Sequence, residues 1–274
     1  MASDSLITAV EMPRDVGLPR TGISQVVRRD RFFLATSIFL LAIVLIGFSR
    51  TLFLRPLFQV PAMPWYVYVH GSVMAAWIVL LVVQASLVAA HRTDLHRRLG
   101  MLGAMLAVAV LGLSVFLTVE IPANFAVTGG LATTGGPTLP LPDARQIFWG
   151  NLAAMTLFPI LVAIALWQRR RPEVHKRLLL LASMAMIGPA AGRIAEFPAL
   201  AGAAPSAPIN TWVLALVVVL IVGTPLSLVA HDLLAARRLH RATVAGVLAF
   251  FVVTIGARMA AGTAAGAALW TALQ

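Results

Sequence analysis

The sequence contains no cysteine, and lysine occurs only once among its 274 residues, as Lys176. The absence of cysteine excludes disulfides, thiolate metal sites, iron–sulfur clusters and cysteine nucleophiles. Because a retinal protein needs a lysine on its last helix, the position of Lys176 between two predicted helices excludes a retinal Schiff base. Charged residues make up only 11% of the chain. Soluble domains carry about 25%, so a disordered chain, a coiled coil and an ordinary soluble enzyme are also excluded.

What the chain has instead is apolar sequence in long runs, with 60% hydrophobic residues and a mean hydropathy of +0.91. A membrane-spanning helix needs about 20 mostly apolar residues. The runs predict seven helices near 32–54, 65–90, 99–121, 145–168, 177–197, 209–231 and 242–270. We therefore expect an all-α integral membrane protein, in which residues 32–274 form a single seven-helix bundle and residues 1–31 form a mobile cytoplasmic tail.

The orientation of this bundle follows from the arginines and the lysine, which concentrate on the cytoplasmic side of bacterial membrane proteins. Sixteen of the 21 basic residues fall in the tail and in alternate connections: Arg14, Arg20, Arg28, Arg29, Arg31, Arg92, Arg97, Arg98, Arg169, Arg170, Arg171, Lys176, Arg177, Arg237, Arg238 and Arg241. Three fall on the other side, as Arg50, Arg55 and Arg145. The pattern predicts a bacterial inner-membrane protein with a cytoplasmic N-terminus and a periplasmic C-terminus.

The same placement accounts for the net charge of +11. The basic residues flank the predicted helices, where they set topology and contact anionic lipid headgroups. They do not line an aromatic-studded surface of the kind that binds nucleic acid. We therefore expect the lipid bilayer as a partner and no nucleic acid.

The second predicted helix carries a polar stripe, formed by His70, Trp77, Gln84 and His91 at intervals of seven residues. Two helical turns span about seven residues, so all four share one face. The rise from His70 to His91 is about 31 Å, close to the thickness of the hydrocarbon layer. Such a stripe must face other helices or a water-filled cavity. A buried packing face with two interfacial histidines is the alternative interpretation.

Ionisable residues also fall in the outer half of the apolar runs. These are Glu120, Arg193, Glu196 and Arg258, and His70 enters at the same level. A charge in the middle of the bilayer costs about 2.5 to 3.5 kcal/mol even on the lenient insertion scale, so these groups need partners, a cavity or both. We expect a periplasm-facing pocket in which the two arginines bind an anion. A structural network, with Arg193 paired to Glu196 and Arg258 to Glu120, is the alternative.

The inner side contains five histidines, His91, His96, His175, His231 and His240. Imidazoles with the nearby carboxylates of Asp94 and Asp232 could bind a divalent metal, and two of the imidazoles could ligate a haem b iron. His91 and His231 are the first choices because each ends a helix that runs inward. No spacing matches a known metal motif, and capping of helix ends at the interface is the alternative, so no cofactor is favoured.

Three segments carry a resemblance to known sequences. They are His70-Gly71 with Trp77, Gln84 and Leu87-Val88; His96-Arg97-Arg98-Leu99-Gly100; and His175-Lys176-Arg177-Leu178-Leu179-Leu180. They resemble a family of uncharacterised bacterial multi-pass membrane proteins, over predicted helices 2 to 7. The resemblance implies the same topology and brings no activity.

Three functions remain open from the sequence. The first is a transporter or binding protein for a small anionic or lipid-like ligand, which would use His70, Trp77, Gln84 and the outer ionisable residues. The second is a redox protein with one haem or metal at the inner histidines. The third is a membrane assembly protein without chemistry of its own. The buried charges favour the first.

Overall fold

A computed structural model describes residues 21–58, 64–128, 141–195 and 211–274 of the chain. Its helices are α1 (Thr21–Phe48), a π-helical segment (Ser49–Phe53), α2 (Arg55–Phe58), α3 (Trp65–Ala89), α4 (Thr93–Thr128), α5 (Leu141–Trp167), α6 (Pro172–Ala185), α7 (Gly188–Ala195), α8 (Thr211–Ala236), α9 (Arg241–Ala261) and α10 (Ala264–Ala272). The described residues contain no strand. The all-helical architecture is thus confirmed.

Within the described residues, six helices are long and apolar enough to cross a membrane, namely α1 with its π-helical extension, α3, α4, α5, α8 and α9. Taken together, α6 and α7 are also long and apolar enough to make a seventh span. That span would be broken, because the two helices meet at an angle of 47°. The chain is therefore an integral membrane protein. Helices satisfy their backbone hydrogen bonds internally, which is what a segment in lipid requires.

Several helix ends depart from the predicted bounds. The first helix begins at Thr21, so the helix includes part of the segment predicted as tail, while residues 1–20 lie outside the described residues. The third predicted helix extends to Thr128. The last predicted helix ends at Ala261, because Thr263 accepts a hydrogen bond from the backbone N–H of Gly266 and caps a separate helix, α10.

The helices pack side by side, both between neighbours in the chain and between helices that are distant in the sequence. Helix α1 lies against α3 and α7, α3 lies against α4, and α5 lies against α4, α6 and α9. The shared core contains Leu40, Ile78, Phe158, Leu181 and Leu228, each at most 2% exposed. One contact depends on a missing side chain: a Cβ on Gly47 of α1 would collide with the backbone of Ala190 on α7.

Side-chain contacts bring the basic connections to one end of this bundle. His96 at the start of α4 meets His175 at the start of α6, and Asp232 near the end of α8 binds the backbone N–H of His240. We call this the basic end; it holds the connections 90–92, 168–171 and 237–240. The opposite end is where α3 and α5 begin and α4 finishes.

Candidate functional site

The basic end is organised around a buried carboxylate, Asp232 of α8, which is fully buried. It accepts a hydrogen bond from Arg177 Nη2 of α6 at 2.6 Å and from Thr243 Oγ1 of α9 at 2.5 Å. The backbone N–H of His240 donates, at 3.0 Å, to the same Asp232 oxygen as Thr243. Asp232 therefore joins three helix ends, and its negative charge is balanced by a buried guanidinium.

The arginine of this pair is only 2% exposed and has further partners. Arg177 Nη1 donates to the Glu173 carboxylate at 2.5 Å and to the Glu173 carbonyl at 2.9 Å. Glu173 also pairs with Lys176 at 2.9 Å, and the Lys176 ammonium lies 4.6 Å from the Phe33 ring centroid. The result is a compact ionic network that ties α1 to the other three helices.

Sequence reasoning missed this network, because it assigned Arg177 to topology and Asp232 to the surroundings of the histidines. A signal was present in the sequence. Asp232 is the one acidic residue within α8, in an otherwise apolar helix. A carboxylate in such a helix needs a cationic partner inside the bundle.

The inner histidines have different surroundings. His231 is 8% exposed and its ring stacks on that of Phe32, with 4.0 Å between the ring centroids. The His231 ring is nearly perpendicular to the Phe33 ring, and their centroids are 5.6 Å apart. His240 caps α9, since its Nδ1 accepts from the backbone N–H of Ala242 at 3.1 Å. Burial lowers the pKa of His240, and the nearby Arg177 lowers that pKa further. His91 lies exposed after the end of α3, with a positive φ of 57°.

Two of these histidines are brought together. The ring centroids of His96 on α4 and His175 on α6 are 6.3 Å apart and the rings are perpendicular. His175 Nδ1 donates to the carbonyl of Ala165 at 2.8 Å. The Gln84 amide contacts His96 Nδ1, and the amide orientation that satisfies both ends also accepts from the backbone N–H of Gly100. Each ring is thus held through Nδ1.

Larger groupings of metal-binding side chains are not formed in the part of the chain that the structure describes. No set of three or more histidine, aspartate or glutamate side chains there is placed to hold a metal ion. The haem and metal alternatives for His91, His96, His175, His231 and His240 stay predictions.

The polar stripe on α3 extends from one end of the bundle to the other. Trp77, at the middle, is 6% exposed and donates from Nε1 to Ser183 Oγ of α6 at 3.0 Å. Its ring meets Phe158 of α5 edge-on at 5.0 Å. Gln84 belongs to the basic end and His70 to the opposite end. At its centre the stripe is a packing face, as the alternative interpretation has it.

The four ionisable residues expected to line an outer pocket are placed differently from one another. Arg193 on α7 lies over the Phe48 ring at 4.9 Å from its centroid. Glu120 on α4 is half-buried. Arg258 is exposed in the last turn of α9, where its long side chain can extend toward the headgroups. Glu196 lies outside the described residues. An anion site at the two arginines stays a prediction.

Other polar atoms at the opposite end are buried and have no hydrogen-bond partner among the described residues. They belong to the π-helical segment, α3, α4 and α5, and they are Thr51 Oγ1, His70 Nδ1, Ser114 Oγ, Arg145 Nε, Gln146 Oε1 and Trp149 Nε1. Most buried polar atoms in proteins have a partner, which is protein or water, so each such atom needs an explanation.

These atoms lie in the half of the bundle away from the basic end, at two depths. His70 and Ser114 are at similar depth, because Tyr66 of α3 meets Phe116 of α4. Gln146 is nearer the surface, since it lies nine residues, or about 14 Å, before Met155, the residue of α5 that Thr118 of α4 contacts.

Contacts in that half of the bundle join the elements that carry these atoms. Leu52 of the π-helical segment packs on Gly71 of α3, at 3.1 Å from where a Cβ would lie. Tyr66 of α3 meets Phe116 of α4 edge-on at 5.4 Å. The α4 helix reaches α5 through Thr118, whose Oγ1 donates to Met155 Sδ at 2.9 Å. The unpartnered atoms therefore lie on neighbouring helices.

The fold and these two polar regions define a helical, multi-pass integral membrane protein with ionisable groups in its interior. Comparisons with protein-family models, with curated proteins and with solved structures gave no match. The resemblance to a bacterial multi-pass family stays a prediction.

Proposed function

We propose that this protein binds a small anionic or lipid-like ligand at the opposite end of the bundle, as a binding protein or as a transporter. The observation that carries the proposal is the set of buried polar atoms without partners on the π-helical segment, α3, α4 and α5. Leaving a buried polar group without a hydrogen bond costs about 1 to 3 kcal/mol, so several together favour a bound ligand or water in that half of the bundle.

The chemistry of these atoms favours a ligand that is rich in acceptor oxygens. Arg145 Nε and Trp149 Nε1 can only donate, while Ser114, Thr51 and His70 can donate or accept. Gln146 Oε1 alone can only accept. A carboxylate or phosphate oxygen would accept from the donors, and the apolar helix faces around them would contact an acyl chain.

The charges in the same half also favour an anion. Arg50, Arg55, Arg145 and Arg193 are found there, and Glu120 is the acid of that half whose side chain the structure describes. Arg50 and Arg55 lie over the rings of Phe58 and Tyr68, at 5.0 and 5.7 Å from the centroids. Positive charge in a site of low dielectric constant raises the local concentration of anions.

The basic end would lie in the cytoplasm, because alternate connections that are rich in arginine stay on that side. With α6 and α7 counted as one broken span, the chain crosses a bacterial inner membrane seven times, with its C-terminus and the ligand-binding half on the periplasmic side. Broken helices at membrane depth are a feature of transporters, whose binding sites they line.

A thermal-shift experiment on detergent-purified protein tests the proposal. The probes are inorganic phosphate, butyrate and laurate, which separate a free anion, a short carboxylate and a carboxylate with an acyl chain. We expect at least one probe to raise the melting temperature of the wild type, and we expect His70→Ala and Gln146→Leu to abolish the shift. His91→Ala is the matched control, since it removes an exposed histidine from the other end of the same stripe.

Two results would contradict the proposal. One is that no probe shifts the melting temperature, which would favour an assembly protein without a ligand. The other is that the shift survives unchanged in both variants, which would place the binding elsewhere.

A further inference from the structure

The pair His96 and His175 is not explained by ligand binding at the opposite end. Both rings are partly exposed, and each is held through Nδ1, by Gln84 in one case and by the Ala165 carbonyl in the other. The network around Asp232 uses neither ring. The Nε2 atom of His175 is therefore left to bind a molecule from solution, and the Nε2 atom of His96 becomes available once the Gln84 amide turns over.

We propose that His96 and His175 form a binding site for a first-row transition-metal ion, such as Zn²⁺, which completes its coordination with water. Imidazole is a preferred ligand of these ions. Ligating histidines are usually oriented by a hydrogen bond from the other ring nitrogen to a carbonyl or a carboxylate, and His175 has this arrangement with Ala165.

The geometry requires a small adjustment. With bonds of about 2 Å to each nitrogen, two imidazoles that share one ion hold their ring centroids about 5 to 6 Å apart. The observed separation is 6.3 Å. In the orientation that satisfies both of its ends, the Gln84 amide donates to His96 Nδ1, which places the ring proton on Nε2. For the ion to bind, the amide would turn over, lose its contact with the Gly100 N–H, and accept from His96 Nδ1–H.

Electrostatics at the basic end permit a cation here, because the nearest positive side chains already have partners. Lys176 pairs with Glu173 at 2.9 Å, and Arg177 pairs with Glu173 and with Asp232 at 2.6 Å. Arg97 is exposed, where salt screens its charge. Since α4 and α6 both pack on α5, a bound ion would link the two helices that flank α5.

Isothermal titration of Zn²⁺ into purified protein without a polyhistidine tag tests the site. We expect one ion per chain in the wild type, with binding weakened at least about 100-fold in His96→Ala and His175→Ala. Gln84→Leu, which removes the group that orients His96, should weaken binding about 10-fold. Visible absorption of the Co²⁺-loaded protein gives a second readout.

Binding of one Zn²⁺ that persists in either alanine variant, or no binding to the wild type, would overturn the assignment. If an alanine variant does not fold, His96→Gln and His175→Gln keep a polar side chain of similar length and should lose the ion in the same way. The ligand at the opposite end is tested separately, so a failure here leaves that proposal unchanged.

Discussion

The two ends of this bundle differ in how many of their buried polar atoms have hydrogen-bond partners. At the basic end, both oxygens of Asp232 have partners and the carboxylate is balanced by Arg177. At the opposite end, polar atoms of His70, Ser114 and Gln146 are buried without partners among the described residues. At the basic end, Arg177 Nε is a buried atom that lacks a partner among the described residues, whereas the opposite end has several such atoms on four elements.

This difference indicates which end stabilises the bundle and which end has a functional role. A buried ionic network fixes one arrangement of helices, because breaking it leaves a buried charge without compensation. An incomplete polar region lowers stability and is retained where a ligand or water supplies the missing partners. We infer that the basic end holds the bundle together and that the opposite end meets the ligand.

The largest effect should come from Asp232→Ala at the basic end. It leaves the Arg177 guanidinium buried beside Glu173 alone, and loss of one partner of a buried ion pair costs about 3 to 5 kcal/mol. Denaturant unfolding in detergent micelles measures the change. Asp94→Ala is the control, since its carboxylate is exposed and lies 3.7 Å from Arg92; it should cost less than about 1 kcal/mol. Equal losses in the two variants would contradict the role of the network.

A smaller effect is expected between the two ends, where Trp77 donates to Ser183 at 3.0 Å. Trp77→Phe and Ser183→Ala each remove that hydrogen bond, which contributes about 1 kcal/mol. A double-mutant cycle on unfolding free energies should give a coupling energy of that size. Additive effects would show that the contact contributes nothing.

The pH dependence of the basic end should be modest and of definite sign. The pKa of His240 is lowered in the folded protein by burial, and its neutral Nδ1 caps α9. The unfolded chain therefore binds the proton more readily, so this contribution is present above the ordinary histidine pKa of about 6.5 and is lost as the pH falls below it. The loss should be about 1 kcal/mol or less, the value of a cap. Melting temperatures from pH 8 to 5.5 should depend less on pH in His240→Asn, which keeps a capping acceptor. An equal pH dependence in the wild type and in His240→Asn would contradict this role of His240.

The smallest stability effects should come from the opposite end. His70→Phe and Gln146→Leu remove polar atoms that have no partner, so the lost packing is offset by the removed desolvation cost. We expect the unfolding free energy without ligand to change by less than about 1 kcal/mol, or to rise. A loss as large as that of Asp232→Ala would show that these side chains are part of a completed structural network.

The sequence predicted the apolar helices well, because length and hydropathy decide whether a segment crosses lipid. It could not predict that Arg177 turns inward to Asp232, since a charge count does not show which arginine faces the core. For the same reason it could not place Arg258 on an exposed face, nor show that Trp77 reaches Ser183.

The most direct measurement uses the absence of cysteine from the chain, which lets a single thiol report on one position. His70→Cys and Trp65→Cys, the latter at an exposed site of the same helix end, are treated in intact cells with a membrane-impermeant maleimide. We predict that both are labelled from the outside, and that the probe which stabilises the protein slows labelling at position 70 only. Labelling at position 65 with no labelling at position 70 would contradict a ligand-accessible polar region at the opposite end.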